Sequence, residues 1–274
     1  MFKCRDDKRK DWLTRYEAKY IIPESLANEV RDFVAPFCRP DSHASKNGPP
    51  VYTITTLQMD NPEYSLHFAK EREAIKRFKL RARTYGRIGS APVFAEVKSK
   101  LENTIIKNRV AIPFAEWNRN IIFGLKLPDC LKSDRQVTDF LQFKRLIWEI
   151  RAQPTVLIRY ERESYVGSID RYARITFDRK LEYQMTDSWT DFGRNGIWHG
   201  MDSSEAQGFG LPYSGVVLEV KTLSHTPTWV QDLVERFQLR KSGNCKYSTA
   251  IWREGYFRGY PHTNTFAEEN LNSV

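Results

Sequence analysis

The chain lacks any apolar run approaching the roughly 20 residues needed to cross a bilayer as a helix. Its first dozen residues, MFKCRDDKRKDW, are charged throughout. Neither a membrane span nor a secretory leader is legible, so membrane insertion is not expected. Cysteine is scarce. Cys4, Cys38, Cys130 and Cys245 are scattered with no CxxC pair, which points to a reducing, cytoplasmic compartment. The histidines His43, His67, His199, His225 and His262 show no HExxH or HxxxH spacing. A zinc site is therefore not expected, and any metal falls to carboxylates and substrate. Acidic residues are in deficit, 34 against 43 Lys and Arg, leaving a net charge of +9 over 274 residues. A balance of that sign selects polyanionic partners: nucleic acid, an acidic membrane surface, or nucleotides and polyphosphate. No RNP, KH or zinc-knuckle pattern is present, which disfavours nucleic acid.

What is present is a series of short alternating segments. After RYEAKYII, Pro23 opens a helical pattern with Leu26, Val30, Phe33, Val34 and Phe37 on one face. Residues 39–50, rich in Ser, Pro and Asn, read as a loop. Five strands are then predicted in succession: VYTITTLQMD, YSLHFAKE, AIKRFKLRARTYG, VFAEVKSKL and TIIKNRVAI. Helical spacing over 133–153 ends at Pro154. Strands TVLIRYERESYV and YARITFD follow, then a Gly- and Asp-rich excursion over 186–214, the strand GVVLEVKTL, a helix from Thr226 and Pro227 to Arg240, and a last helix carrying Lys246. With no internal repeat and no linker, one domain over 1–274 is expected, with a charged, flexible leader over 1–12.

Side chains alternate across a strand, so Lys79, Arg81 and Arg83 face one way while Phe78, Leu80 and Ala82 face the other. Glu96 and Lys98, Arg174 and Thr176, and Glu219 and Lys221 repeat the pattern. An open sheet whose polar face meets water would account for the alternation. Yet such a face usually mixes signs, and here cations dominate. If helices cover the apolar faces and the sheet closes, the cations converge in a channel suited to a polyanion. Such a channel suits phosphoryl transfer, which needs alignment of phosphates and neutralisation of developing charge. Mn2+ or Mg2+ needs only one or two protein carboxylates beside phosphate and water, and Glu219 is the best-placed one.

Read together, RYEAKY at 15–20, FKLRARTYG at 78–86, AEVKSK followed by IIKNR, RYERESYV, ARITFD, VLEVK and CKYSTA resemble, in order, the VTC domain. That is the catalytic part of the vacuolar transporter chaperone complex, among the triphosphate tunnel metalloenzymes. The resemblance covers nearly the whole chain. It implies an α+β fold: an antiparallel β-barrel or tunnel with helices packed on the outside. It also implies synthesis of polyphosphate from the terminal phosphate of ATP with Mn2+ or Mg2+. Carried over by motif, Lys19, Arg81, Arg83, Lys221 and Lys246 would be catalytic. Lys98, Lys107, Arg162 and Arg174 would bind phosphate, and Glu219 would hold the metal. Glu17 and Glu96 are further metal candidates, although Arg15 replaces the first Glu of the ExExK motif of other branches and favours a structural role for Glu17. Arg159 should point to the opposite face and pair on the surface. Cys245 stands where the family often has Ser, a weaker donor before Lys246. Unlike the eukaryotic members, the chain is expected to have no room for an SPX sensor and no transmembrane helix, so any control or export lies elsewhere, and docking to a separate membrane partner is left open.

Three readings remain open: polyphosphate synthesis, hydrolysis of triphosphate or polyphosphate in the same tunnel, and a non-enzymatic polyphosphate-binding module. The last is favoured if Glu219 is salt-bridged to Lys or Arg.

Overall fold

The computed structural model describes residues 16–41, 51–102, 104–170, 172–201, 215–223 and 225–257. The charged leader, Arg15 and residues 202–214 of the Gly- and Asp-rich excursion lie outside the described residues.

Ten strands form one antiparallel sheet. They are β1 (Tyr16–Ile22), β2 (Cys38–Pro40), β3 (Val51–Asp60), β4 (Lys76–Tyr85), β5 (Val93–Leu101), β6 (Thr104–Ile112), β7 (Gln153–Gly167), β8 (Arg174–Met185), β9 (His199–Gly200) and β10 (Val216–Thr222). The main order is β1-β10-β8-β7-β3-β4-β5-β6, with β2 on β7 and β9 on β8. The two end strands do not pair with each other. The sheet instead curls until β1 approaches the strand next to β6 through side chains: Glu17 of β1 lies 3.9 Å from Lys98 of β5. The result is a half-barrel rather than a hydrogen-bonded cylinder.

Alternation sorts the two faces of the curled sheet. On β4, Leu80 and Ala82 are fully buried on the convex side while Lys79, Arg81 and Arg83 face inward. Helix α4 (Asp134–Glu149) covers that convex side, burying Phe140 and Phe143 against Leu80, Val97 and Ile112. Each such side chain contributes about 1.5–3 kcal/mol on removal from water. Helices α1 (Glu24–Val34) and α5 (Thr228–Arg236) cover the convex side of β1, β10 and β8, through Val30, Val34, Trp229 and Leu233. The C-terminal helix α6 (Lys246–Phe257) is placed differently. Its Tyr247, Ala250 and Ile251 pack among Ile54, Ile158 and Tyr160 on the concave side, so it brings Lys246 into the channel.

The helix expected over 133–153 begins at a capping box formed by Ser133 and Gln136. It stops at Glu149, however, and Arg151 at φ 53° turns the chain, while Pro154 already pairs within β7. YSLHFAKE is helix α2 (Ser65–Glu71), not a strand. The Asp60 carboxylate accepts from the backbone N–H of Leu66 and His67, and Asn61 Oδ1 accepts from Ser65 N–H. Those bonds satisfy the first helical turn, and seven residues are too few to display a helical period. Four strands, not five, therefore run from Val51 to Ile112. A short helix α3 (Arg119–Phe123), capped by Asn118, follows them and has no counterpart in the sequence reading. Among the described residues no helix is long and apolar enough to cross a membrane.

Candidate active site: a cationic channel

The concave face encloses a cavity of about 180 Å³. Nine of its lining residues are Lys or Arg (Lys19, Lys79, Arg81, Arg83, Lys98, Lys107, Arg162, Lys221 and Lys246) and only Glu17 and Glu219 are acidic. Every predicted catalytic residue is there, with Lys98, Lys107, Arg162 and Glu219. Two predicted residues are not. Arg174 shares the concave face, opposite Lys221 in the ladder, but its side chain is 54% exposed at the rim, 3.9 Å from Asp41. Glu96 shares the face of Arg81 but is not among the residues lining the cavity: it pairs with Arg81 at 2.6 Å and with Arg109 at 3.2 Å.

Strand register sets the spacing. Lys79, Lys98 and Lys107 sit directly opposite one another on β4, β5 and β6. Like charges facing across strands are destabilising without an anion between them. Burial, aided by Lys107, Arg81 and Lys19, pushes Lys98 down to about 8 despite Glu17. On the other wall Arg162 clasps Asp178 with two bonds of 2.6 and 2.8 Å, and Lys246 reaches the same carboxylate at 2.7 Å. Burial opposes the charge of Asp178, but those two cations overcome it and hold the carboxyl well below the usual range. Arg159 turns outward to Glu182 at 2.7 Å and stacks on Trp198.

Glu219 is salt-bridged to Lys221 and lies 3.9 Å from Arg162. Burial would raise its pKa, yet Lys221, Lys19 and Arg162 hold it at about 2, so it is ionised. Glu17 lies 3.4 Å from Lys19, and pairing of β1 with β10 sets Lys19 against Glu219 and Glu17 against Lys221. The two carboxylates are thus diagonal neighbours on one face. Hard oxygens from one or two carboxylates, completed by phosphate oxygens, are the donor set that Mn2+ or Mg2+ takes. Glu219 with Glu17 fits that set, while Glu96, committed to two arginines, does not. Among the described residues no cluster of three or more His, Cys, Asp or Glu could hold a metal without substrate.

Sequence reasoning gave Tyr160 and Asp178 no place in the site, and it named Lys79 on the cationic face and Cys245 before Lys246 without pairing the two. Lys79 and Tyr160 were legible from spacing alone, two residues before Arg81 and Arg162. Asp178 continues the face of Arg174 and Thr176. Nothing local signals that Cys245, at the start of α6, meets Lys79: its Sγ accepts from Lys79 Nζ at 3.0 Å. Burial would raise this thiol, but Lys79 brings it down to about 6, whereas burial pushes Cys38 up to about 11. Iodoacetamide alkylation followed by peptide mass mapping should therefore show Cys245 reacting with a midpoint near pH 6, and long before Cys38. A midpoint near 9, the ordinary thiol value, would rule out the Lys79 pairing.

The profile of the VTC domain matches residues 14–253. No curated protein matches the chain. Among solved structures, it is similar to a putative adenylate cyclase from Vibrio parahaemolyticus (10% identity, 87% of this chain and 98% of that one, TM-score 0.43). The PH1819 protein from Pyrococcus horikoshii OT3 shows 9% identity over 87% of this chain and 96% of that one, at TM-score 0.39. The Mimivirus capping enzyme triphosphatase shows 9% identity over 82% and 90%, at TM-score 0.32. These three likenesses are too distant to bear on function. The family match spans most of the chain and includes both walls of the channel: the chain belongs to the VTC domain family.

Proposed function

We propose that the chain is an ATP-dependent polyphosphate polymerase. A terminal oxygen of the acceptor chain attacks the γ-phosphorus of ATP, the β–γ anhydride bond breaks, and ADP leaves with the bonding pair. Arg81, Arg83 and Arg162 offer forked contacts to phosphate oxygens, and Lys19, Lys98, Lys107, Lys221 and Lys246 offer point charges. Glu219, with Glu17 beside it, would hold the Mn2+ or Mg2+ that neutralises charge on the transferred group. The observation that carries this reading is the lining of the channel: nine Lys and Arg converge on one cavity with two carboxylates beside them, a site able to align successive phosphates and neutralise charge on the one transferred. An acceptor phosphate arrives already anionic and needs no base, whereas water does. The reading carries with it a cytoplasmic enzyme acting on ATP and polyphosphate.

A second reading, a non-enzymatic polyphosphate-binding module, is favoured by one observation: Glu219 is salt-bridged to Lys221. Purified protein incubated with ATP and Mn2+, with products resolved on a gel, decides between them. Polymerase activity should give a ladder of long polyphosphate, lost in Arg81→Ala and Glu219→Ala. Orthophosphate without chain growth would select hydrolysis. Tight, metal-independent binding without turnover would select the module.

A further inference from the structure

A second cavity, about 260 Å³, opens beside the channel and shares Glu17, Lys19, Lys79, Lys98, Asn244 and Cys245 with it. Its own additions are strongly basic: Lys70, Arg77, Lys100 and Lys241. Glu17 is its sole lining acid among the described residues.

The placement follows from strand register. On β4 the inward file Arg83, Arg81, Lys79 continues at the same two-residue step to Arg77. On β5 the file continues from Lys98 to Lys100. Arg77 faces Lys100 across the ladder just as Lys79 faces Lys98. Two successive rows of opposed cations thus run out of the channel. Each row is unfavourable unless an anion lies along it. Arg77 is held by the carbonyl of Ala74 at 2.7 Å, and Lys70 pairs with Glu71 at 3.0 Å. Among the described residues no carboxylate pairs with Lys100 or Lys241.

We propose that this cavity is an outer subsite for the polyphosphate chain, occupied by the phosphates that extend beyond the channel. The proposal rests on the polyphosphate reading of the channel itself. It assigns a polarity: long chains run out past Arg77 and Lys100 toward Lys241, and a triphosphate held by the inner cations does not touch them.

The test uses Lys100→Gln with Lys241→Gln, two exposed or half-exposed substitutions outside the channel. Binding of inorganic triphosphate and of long-chain polyphosphate to wild type and variant is measured by calorimetry, with circular dichroism confirming the fold. Wild type should bind the long chain more tightly than triphosphate. The variant should bind triphosphate unchanged and the long chain about five- to tenfold more weakly. An equal loss for both ligands, or no loss for either, overturns the outer subsite while leaving the channel reading intact. A wild type that binds neither ligand overturns the channel reading as well. If a single-stranded oligonucleotide displaces the long chain from wild type but not from the variant, the subsite is a nucleic-acid contact and the proposal fails.

Discussion

Asp178→Asn is expected to lower folding stability by about 3–5 kcal/mol, because it leaves two buried cations without their counter-charge. Asp178 is fully buried, and the side chains of Arg162 and Lys246 are each only 14% exposed. The amide keeps the shape and can accept one hydrogen bond, so any loss reports charge rather than a cavity. Urea unfolding at pH 7 measures it. The acid dependence provides a second check. In the folded chain the carboxyl is depressed below its ordinary 3.8, so its contribution is complete above that value and is lost as pH falls through the folded value. The gap between wild type and variant should stay constant from neutral pH down to about 5 and narrow below about 4. A variant as stable as wild type at pH 7 would remove Asp178 as the anchor of that wall.

Much of the channel was legible beforehand, and the reason is periodicity. A strand with Lys79, Arg81 and Arg83 on one face and Leu80 and Ala82 on the other can be oriented from sequence, because the side-chain period is two residues. The same rule placed Glu219 beside Lys221 and sent Arg159 outward. What the rule does not give is how far a face extends or which strands meet. Arg174 obeys the alternation yet sits at the rim, since its depth depends on the stagger between β8 and β10. Glu96 also alternates correctly, but Arg81 and Arg109 draw it away from the cavity. Contacts between distant segments, such as Cys245 with Lys79 or Tyr247 with Asp60, depend on α6 packing on the concave side. An amphipathic pattern marks a buried face without naming the surface that buries it. Helix α2 was misread because it is seven residues long and its first turn is held by Asp60, outside the segment.

Glu219→Gln should separate binding from chemistry. Removing this charge leaves Lys221, Lys19 and Arg162 without the carboxylate that now neutralises part of their field, so affinity for triphosphate in the absence of metal should rise or hold. Turnover should move the other way. If Glu219 is the carboxylate that holds Mn2+ or Mg2+, its loss removes charge stabilisation at the transferred group, and a fall in kcat of about 10²–10³-fold is expected, the size seen when one preorganised electrostatic contact is lost. KM for ATP should change little by comparison. Steady-state kinetics over a Mn2+ titration distinguishes the outcomes. A loss in kcat that excess Mn2+ partly restores identifies a metal ligand. A rise in KM at unchanged kcat would instead make Glu219 a structural partner of Lys221, and the metal would then have to be sought at Glu17.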